Sequence, residues 1–268
     1  MRRSLIWLGA LALLLGSCVP NFRPEESSLG PMVVRADYSA ILPKELQTDK
    51  YKLRVSMYCY ESTKDSLVGK TAVFPSPQEN DAVLFVPFLE RDEQYTVVIV
   101  ADFLERRSEE YSMQLWYHIR TNRLTDFYME RVNSTPSEAD AIGYLSTRLS
   151  PGEEEAPLSL QSPGKLGRVV VDNYDKTTDV QWSFQSAFRI GPFNASSAGR
   201  VGDHVSEYIS AAQAGDCFFI PYENSSTRFR FTSAAAGEVA TTIDLSAYNR
   251  FQITVNALTG IPSVQEMP

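Results

Sequence analysis

The chain has 268 residues, of which 43% are hydrophobic and 22% charged, a balance that excludes an intrinsically disordered polymer and fits one large or two ordinary globular bodies. A formal net charge of -8 and a pI near 4.9 exclude a nucleic-acid partner, whose phosphates need a clustered basic face. Three cysteines without CxxC or metal-ligand spacing give no metal motif.

The first element is an export signal. Arg2 and Arg3 precede an apolar run from Leu5 to Leu15, which is shorter than the roughly 20 residues a membrane-spanning helix needs. The run ends in Leu15, Gly16, Ser17 and Cys18, which resemble the lipobox of bacterial lipoproteins. That resemblance implies cleavage of residues 1–17 and attachment of lipid to the Cys18 thiol, whose thiolate is the nucleophile. One acyl chain holds a protein only marginally, whereas two or more hold it stably. The predicted mature protein is therefore tethered to the outer membrane through its N-terminal lipid.

Residues 18–30, ending in VPNFRPEESSLG, lack periodicity and carry Pro20 and Pro24, so they read as a flexible stalk. From Met32 the pattern alternates strictly. Met32, Val34, Ala36 and Tyr38 share one face, with Val33, Arg35, Asp37 and Ser39 on the other. The same period recurs at 51–60, 66–74, 81–88 and 94–103, between turn clusters. In the second of these strands Leu53, Val55, Met57 and Cys59 form an apolar face, which makes Cys59 a buried small hydrophobe. A disulfide between Cys59 and Cys217 would have to bridge two predicted domains. Residues 111–120 also alternate, with a short helix as the competing reading, and 121–142 read as loop. A strand at 143–149 leads into SPGEEEAP, a solvated hinge that divides an N-terminal β-sandwich domain, 31–150, from a C-terminal one, 151–268.

The second half repeats the style at APLSLQ, KLGRVVVDNY, DVQWSFQSAFRI, CFFIPY, TRFRFTS, EVATTIDL and YNRFQITVNAL, and only HVSEYISAAQAG (204–215) has a weak helical pattern. Short strands without intervening helices predict an all-β protein of two tandem antiparallel sandwiches, each of seven or eight strands.

No catalytic constellation emerges. His118 lies on the polar phase of its strand, and His204 has only Asp203 and Glu207 near it in sequence. Asp172 and Asp175 could meet calcium, but DNYD reads as an Asn/Asp turn without a twelve-residue calcium loop. Glu90, Asp92 and Glu93, and the run Glu153 to Glu155, are carboxylates in loops, where charge is solvated. There is no GxSxG, P-loop, GxGxxG or HExxH. The expectation is a protein that is not an enzyme and takes no cofactor and no metal. Trp116, Trp182, Tyr58, Tyr60 and Phe218 could stack on sugars, although strands favour aromatics for packing. The sequons at Asn133, Asn194 and Asn224 carry little meaning in a bacterial lipoprotein.

Several strings, taken in order, resemble the fimbrillin-like lipoproteins of Bacteroidetes, a group that includes fimbrial anchor and accessory subunits. They are YTVVIVADF (95–103), ADAIGYLSTRLS with APLSLQSPGKLGRVVVDNYD (139–175), FRIGPFNASSAGRV (188–201) and YNRFQITVNALTG (248–260). Asp65 to Leu67, DSL, also resembles a short Bacteroidetes O-glycosylation motif. Ser162, Pro163 and Gly164 depart from the basic residues the family places there. The resemblance implies two transthyretin-like sandwiches, fimbrillin-like partner subunits and an assembly role at the cell surface.

Polymerising members of that group are held to lose a first strand after an arginine, opening a groove that a neighbour's strand fills by edge pairing. Beyond the export signal only Arg23 and Arg35 precede the second predicted strand; the first would release no strand, and the second lies inside one. The tail IPSVQEMP, with Pro262 and Pro268, makes a poor donor strand. The expectation is thus an anchor or accessory subunit with Met32 to Ala40 as a candidate edge. The alternative is a glycan-binding surface lipoprotein using Trp116 or Trp182.

Overall fold

The computed structural model describes residues 28–40, 50–107, 112–115, 117–132, 137–152, 156–174, 179–187, 189–190, 206–210, 217–221 and 226–267. Among these the elements are strands and one short 3-10 turn. In chain order they are β1 (Leu29–Asp37), β2 (Tyr51–Glu61), β3 (Leu67–Val73), β4 (Asp81–Glu90), β5 (Tyr95–Arg107), β6 (Ser112–Leu115), β7 (Tyr117–Arg120), β8 (Tyr128–Arg131), the turn Glu138–Asp140, β9 (Ile142–Leu149) and β10 (Leu158–Ser159). They continue with β11 (Gly164–Asp172), β12 (Val180–Ala187), β13 (Arg189–Ile190), β14 (Ser206–Ser210), β15 (Cys217–Pro221), β16 (Ser226–Ser233), β17 (Gly237–Asp244), β18 (Arg250–Asn256) and β19 (Pro262–Glu266). The all-β expectation holds.

In the first half, a sheet ordered β10-β1-β4 faces one ordered β3-β2-β5, with β9 and then β6 pairing successive parts of the far side of β5. The predicted alternation sets the packing: Met32, Val34 and Ala36 of β1, Tyr38 just after it, and Leu53, Val55, Met57 and Cys59 of β2 are all buried in one core. Burying each such aliphatic side chain contributes roughly 1.5–3 kcal/mol. Cys59 and Cys217 are not joined in a disulfide, and Cys59 is wholly buried.

In the second half, β15-β11-β18-β19 and β14-β12-β16-β17 form two four-stranded sheets. Phe184 is the hub of the core between them, with ring centroids 5.0 Å from Phe218 and 5.1 Å from Phe229. Such aromatic pairs add about 0.5–1.5 kcal/mol beyond area burial. Most ladders among the described residues are antiparallel. The pairs β1/β10 and β11/β18 are parallel, and the latter sets the entry strand of the second sandwich beside Arg250–Asn256.

Four sequence expectations are corrected. Ser206–Ser210 is not helical; it pairs antiparallel with β12 from Ala187↔Ser206 to Ser183↔Ser210, and a ladder partner overrides a weak helical period. Residues 121–142 are not simply loop, because they hold β8 and a 3-10 turn whose start is fixed by a capping box between Ser137 and Asp140. The predicted strand at 179–190 divides, with β13 leaving β12 to pair with β8. The C-terminal segment is itself a strand: β19 pairs antiparallel with β18 from Phe251↔Glu266 to Val255↔Pro262. Pro262 is tolerated there because it opens an edge strand.

The two cores meet at a seam. Leu158, Leu160 and Leu166 pack with the first core although they follow residue 150, and Phe219 of β15 joins them. The Phe219 N–H donates to the Ser137 carbonyl at 3.0 Å, tying β15 to the 3-10 turn.

Candidate functional site

The assembly role expected from the sequence needs an edge, which the sequence placed at Met32 to Ala40. The structure bears this out in part: from Leu29 to Arg35 one side of β1 has no ladder partner among the described residues. β1 is the middle strand of its sheet, paired with β4 along its length and with β10 at Ala36 and Asp37. The edge strand is β4, which has β1 as its only ladder partner among the described residues.

The face of that sheet directed away from the core is apolar. Val33 lies opposite Phe85 in register and Arg35 opposite Val83; Val83, Phe85 and Phe88 are 58%, 51% and 78% exposed. The ladder shifts between Gly30 and Met32, where Pro87 and Phe88 form a bulge on β4. Phe88 sits there at φ 60. A bulky residue with positive φ is a genuine outlier, and bulges re-aim side chains at sheet edges. Local strain at Phe88 thus holds a large aromatic ring out in water on a strand that has no second ladder partner among the described residues. The Arg35 guanidinium donates to Asp81 at 2.7 Å, closing the other end of the patch with an exposed ion pair.

Arg35 also lies where the sequence expected it, inside β1. Cutting after it would sever the strand between Val34 and Ala36, which are 4% and 0% exposed. Cys18, Arg23, His204, Asp175, Glu153 to Glu155, Trp116 and the sequons Asn133, Asn194 and Asn224 lie outside the described residues. His118 is exposed. Asp172 is exposed next to Asn173, whose φ of 55 marks a turn. Glu90, Asp92 and Glu93 are exposed at the turn after β4. No group of three His, Cys, Asp or Glu among the described residues could hold a metal ion. Trp182 is half-buried against the second core with its indole nitrogen enclosed, so it offers no open sugar platform. Tyr60 and Phe218 are core residues.

Asp65 of the DSL string has a structural job: its carboxylate accepts from the Thr125 N–H at 3.1 Å and the Thr125 hydroxyl at 2.6 Å. This helps fix the segment carrying β7 and β8, which covers part of the second sheet as a third layer. Phe127 stands edge-on to Tyr58 at 5.2 Å and to Tyr60 at 6.2 Å. The Tyr60 hydroxyl donates to the Thr121 carbonyl at 2.9 Å, and Tyr117 donates to the Asp140 carbonyl at 2.7 Å.

Beside this layer lies a pair of residues that sequence reading did not single out. Asp102 is completely buried and accepts from Arg54 Nε at 2.9 Å and Nη2 at 2.7 Å. Burial pushes the Asp102 carboxyl above the ordinary range, and Arg54 opposes that shift. The Arg54 guanidinium loses hydration but is held charged by the Asp102 carboxylate, with its pKa net raised. The signal was present in the unbroken apolar run YTVVIVADF: a strand apolar on both faces is buried on both faces, so its single carboxylate needs a buried cation.

No protein-family model and no curated protein matches the chain. Solved structures do. A candidate adhesin from Bacteroides thetaiotaomicron aligns over 88% of this chain and 96% of its own at 10% identity, with a TM-score of 0.57. The fimbrial anchor protein Mfa2 from Porphyromonas gingivalis aligns over 87% and 95% at 14% identity, with a TM-score of 0.48. A fimbrial assembly protein from Parabacteroides distasonis aligns over 88% and 94% at 10% identity, with a TM-score of 0.47. The chain has the β-sandwich fold of the Bacteroides thetaiotaomicron candidate adhesin, matched over nearly the whole of that protein.

Proposed function

We propose that the chain is a non-catalytic surface lipoprotein that anchors or caps a fimbrial assembly, with Cys18 carrying the lipid and the edge of β4 receiving an extended strand of a fimbrillin-like subunit. The observation that carries this reading is the coincidence of a strand, Asp81–Glu90, that has no second ladder partner among the described residues with the exposed row Val83, Phe85 and Phe88. Main-chain hydrogen bonds to the edge supply affinity, and the flanking aromatic face supplies specificity. Soluble proteins blunt long apolar edges unless the edge is used. The fimbrillin-like strings of the sequence support the identity of the partner. The lipid, the outer-membrane location and the strand donor belong to the proposal.

β19 bears on the role within an assembly. The C-terminal segment is engaged with β18, so it is not a free strand to offer a neighbour. A subunit that receives a strand and gives none from this end fits a terminus of a fibre.

The test is crosslinking in native outer membranes from a photoreactive residue at position 85. Capture of a fimbrillin-like subunit, lost when Val83→Lys is added while the fold persists, is the expected result. An absence of any protein adduct, or an adduct indifferent to Val83→Lys, overturns the strand-pairing reading.

A further inference from the structure

The buried ion pair opens onto a cleft of about 480 Å³ beside β7, on the face of the second sheet directed away from the sandwich core. That size is within the range of about 300–1,000 Å³ found for small-molecule sites. Its floor is set by register: Ser56 and Tyr58 of β2 stand opposite Ala72 and Lys70 of β3. Its far wall is made by Tyr117, Ile119 and Thr121.

Three features restrict what can bind. The first is charge. Arg54 and Lys70 line the cleft with no carboxylate among the lining residues, and Asp102 beneath balances only one of the two cations. Lys70 makes no ion pair among the described residues. Asp102 takes two of the guanidinium's five donors. A single net positive charge in a chain whose overall charge is -8 suits a monoanion. The second is the pair of hydroxyl groups on Tyr58 and Thr121, which can donate and accept in turn, with the Ser56 hydroxyl buried at the floor. The third is the small apolar surface of Ala72 and Ile119 beside these groups, suited to the C–H face of a ring.

We propose that this cleft binds a sugar acid, a pyranose carrying one carboxylate, with Lys70 and Arg54 on the carboxylate and the hydroxyl-bearing side chains on the ring substituents. A dianionic phosphate would find too little charge, and a simple carboxylic acid would leave the hydroxyl groups unused. This goes beyond the assembly role and is independent of it, because the cleft lies on the second sheet of the sandwich and β4 in the first.

The test is titration of the full-length chain, followed by nuclear magnetic resonance or calorimetry, with D-glucuronate, N-acetylneuraminate, glucose and acetate. At least one of the two sugar acids is expected to bind saturably, with glucose and acetate at least about tenfold weaker. Lys70→Gln, on an exposed edge position, should weaken the sugar acid by about tenfold or more, and Ala72→Trp should fill the cleft and abolish binding. Unchanged thermal unfolding of Lys70→Gln separates lost binding from lost fold. Equal binding of glucose or acetate, no saturable binding of either acid, or indifference to both substitutions overturns the proposal.

Discussion

Asp102 is enclosed on every side, and the two hydrogen bonds it accepts from Arg54 oppose the upward push of burial on its carboxyl. Removing the carboxylate leaves the Arg54 charge, only 18% exposed, without its counter-ion. Breaking such a pair from one side costs about 3–5 kcal/mol, whereas replacing both partners by apolar groups is often near neutral. Asp102→Ala should therefore destabilise the first half by that amount in urea unfolding, and Arg54→Met with Asp102→Leu should recover most of it. A double variant no more stable than the single one would contradict this account. Cys59 makes a complementary prediction through pH. Burial pushes its thiol from 9.0 up to about 12. A folded-state pKa above the unfolded value contributes stability that is complete below about 9 and is lost as pH rises toward 12. Tyr38, raised from 10.0 to about 12, adds a loss of the same sign that starts higher. Cys59→Ala should therefore flatten the fall in melting temperature across the window from about pH 9 to about 12. In the native protein Cys59 should resist iodoacetamide at neutral pH and react once unfolded; rapid native labelling would exclude the buried placement.

At the scale of the element, alternation was a sufficient guide wherever a strand has one wet face. β1, β4 and β18 have the buried faces that Met32, Leu84 and Phe251 implied. It failed where a second layer covers the other face. Arg54, Ser56 and Tyr58 sit on the polar phase of β2, yet the segment carrying β7 and β8 shields much of that phase, and the cleft exists only because the cover stops short of Lys70. Coverage is a long-range property, set by Phe127 and Thr121 more than sixty residues away, so no local pattern reports it. The edge was only partly legible for a related reason. How much of β1 keeps a side without a ladder partner depends on β10, which joins it only through Ala36 and Asp37. The parallel pairing of β11 with β18 was likewise invisible locally, but it carries a test. Gly167 faces Phe251 in register, and a Cβ there would come 2.2 Å from the ring. Gly167→Ala should cost about 1–3 kcal/mol by overpacking. Pairing it with Phe251→Leu should be less damaging than the sum of the two single changes, as shared contacts demand. Additive costs in denaturant melts would show that the glycine is not placed by the ring.

For the whole molecule, the proposed roles depend on how the sandwich is tethered. Ten peptide steps separate Cys18 from Ser28, so even fully extended the link reaches at most about 35 Å. β1 begins one residue later, and Leu29 lies opposite Glu90 at the end of β4. The proposed docking edge would therefore start near the proposed lipid tether, and a strand added to it would be gathered close to the membrane surface. Tethering at that reach confines the edge to a thin layer and raises its effective concentration for any partner in the same membrane. Cys18→Ala should thus have two separable effects. The chain should move to the soluble fraction, because in the proposed arrangement the acyl chains supply the membrane affinity. Crosslinking from position 85 should fall in whole cells yet persist when the soluble variant is mixed with the partner at high concentration, because the edge itself is unchanged. Full membrane retention in a strain lacking the partner would overturn the lipid assignment. Loss of crosslinking even at high partner concentration would mean that the tether contributes to the docking surface, and would count against an edge that acts alone.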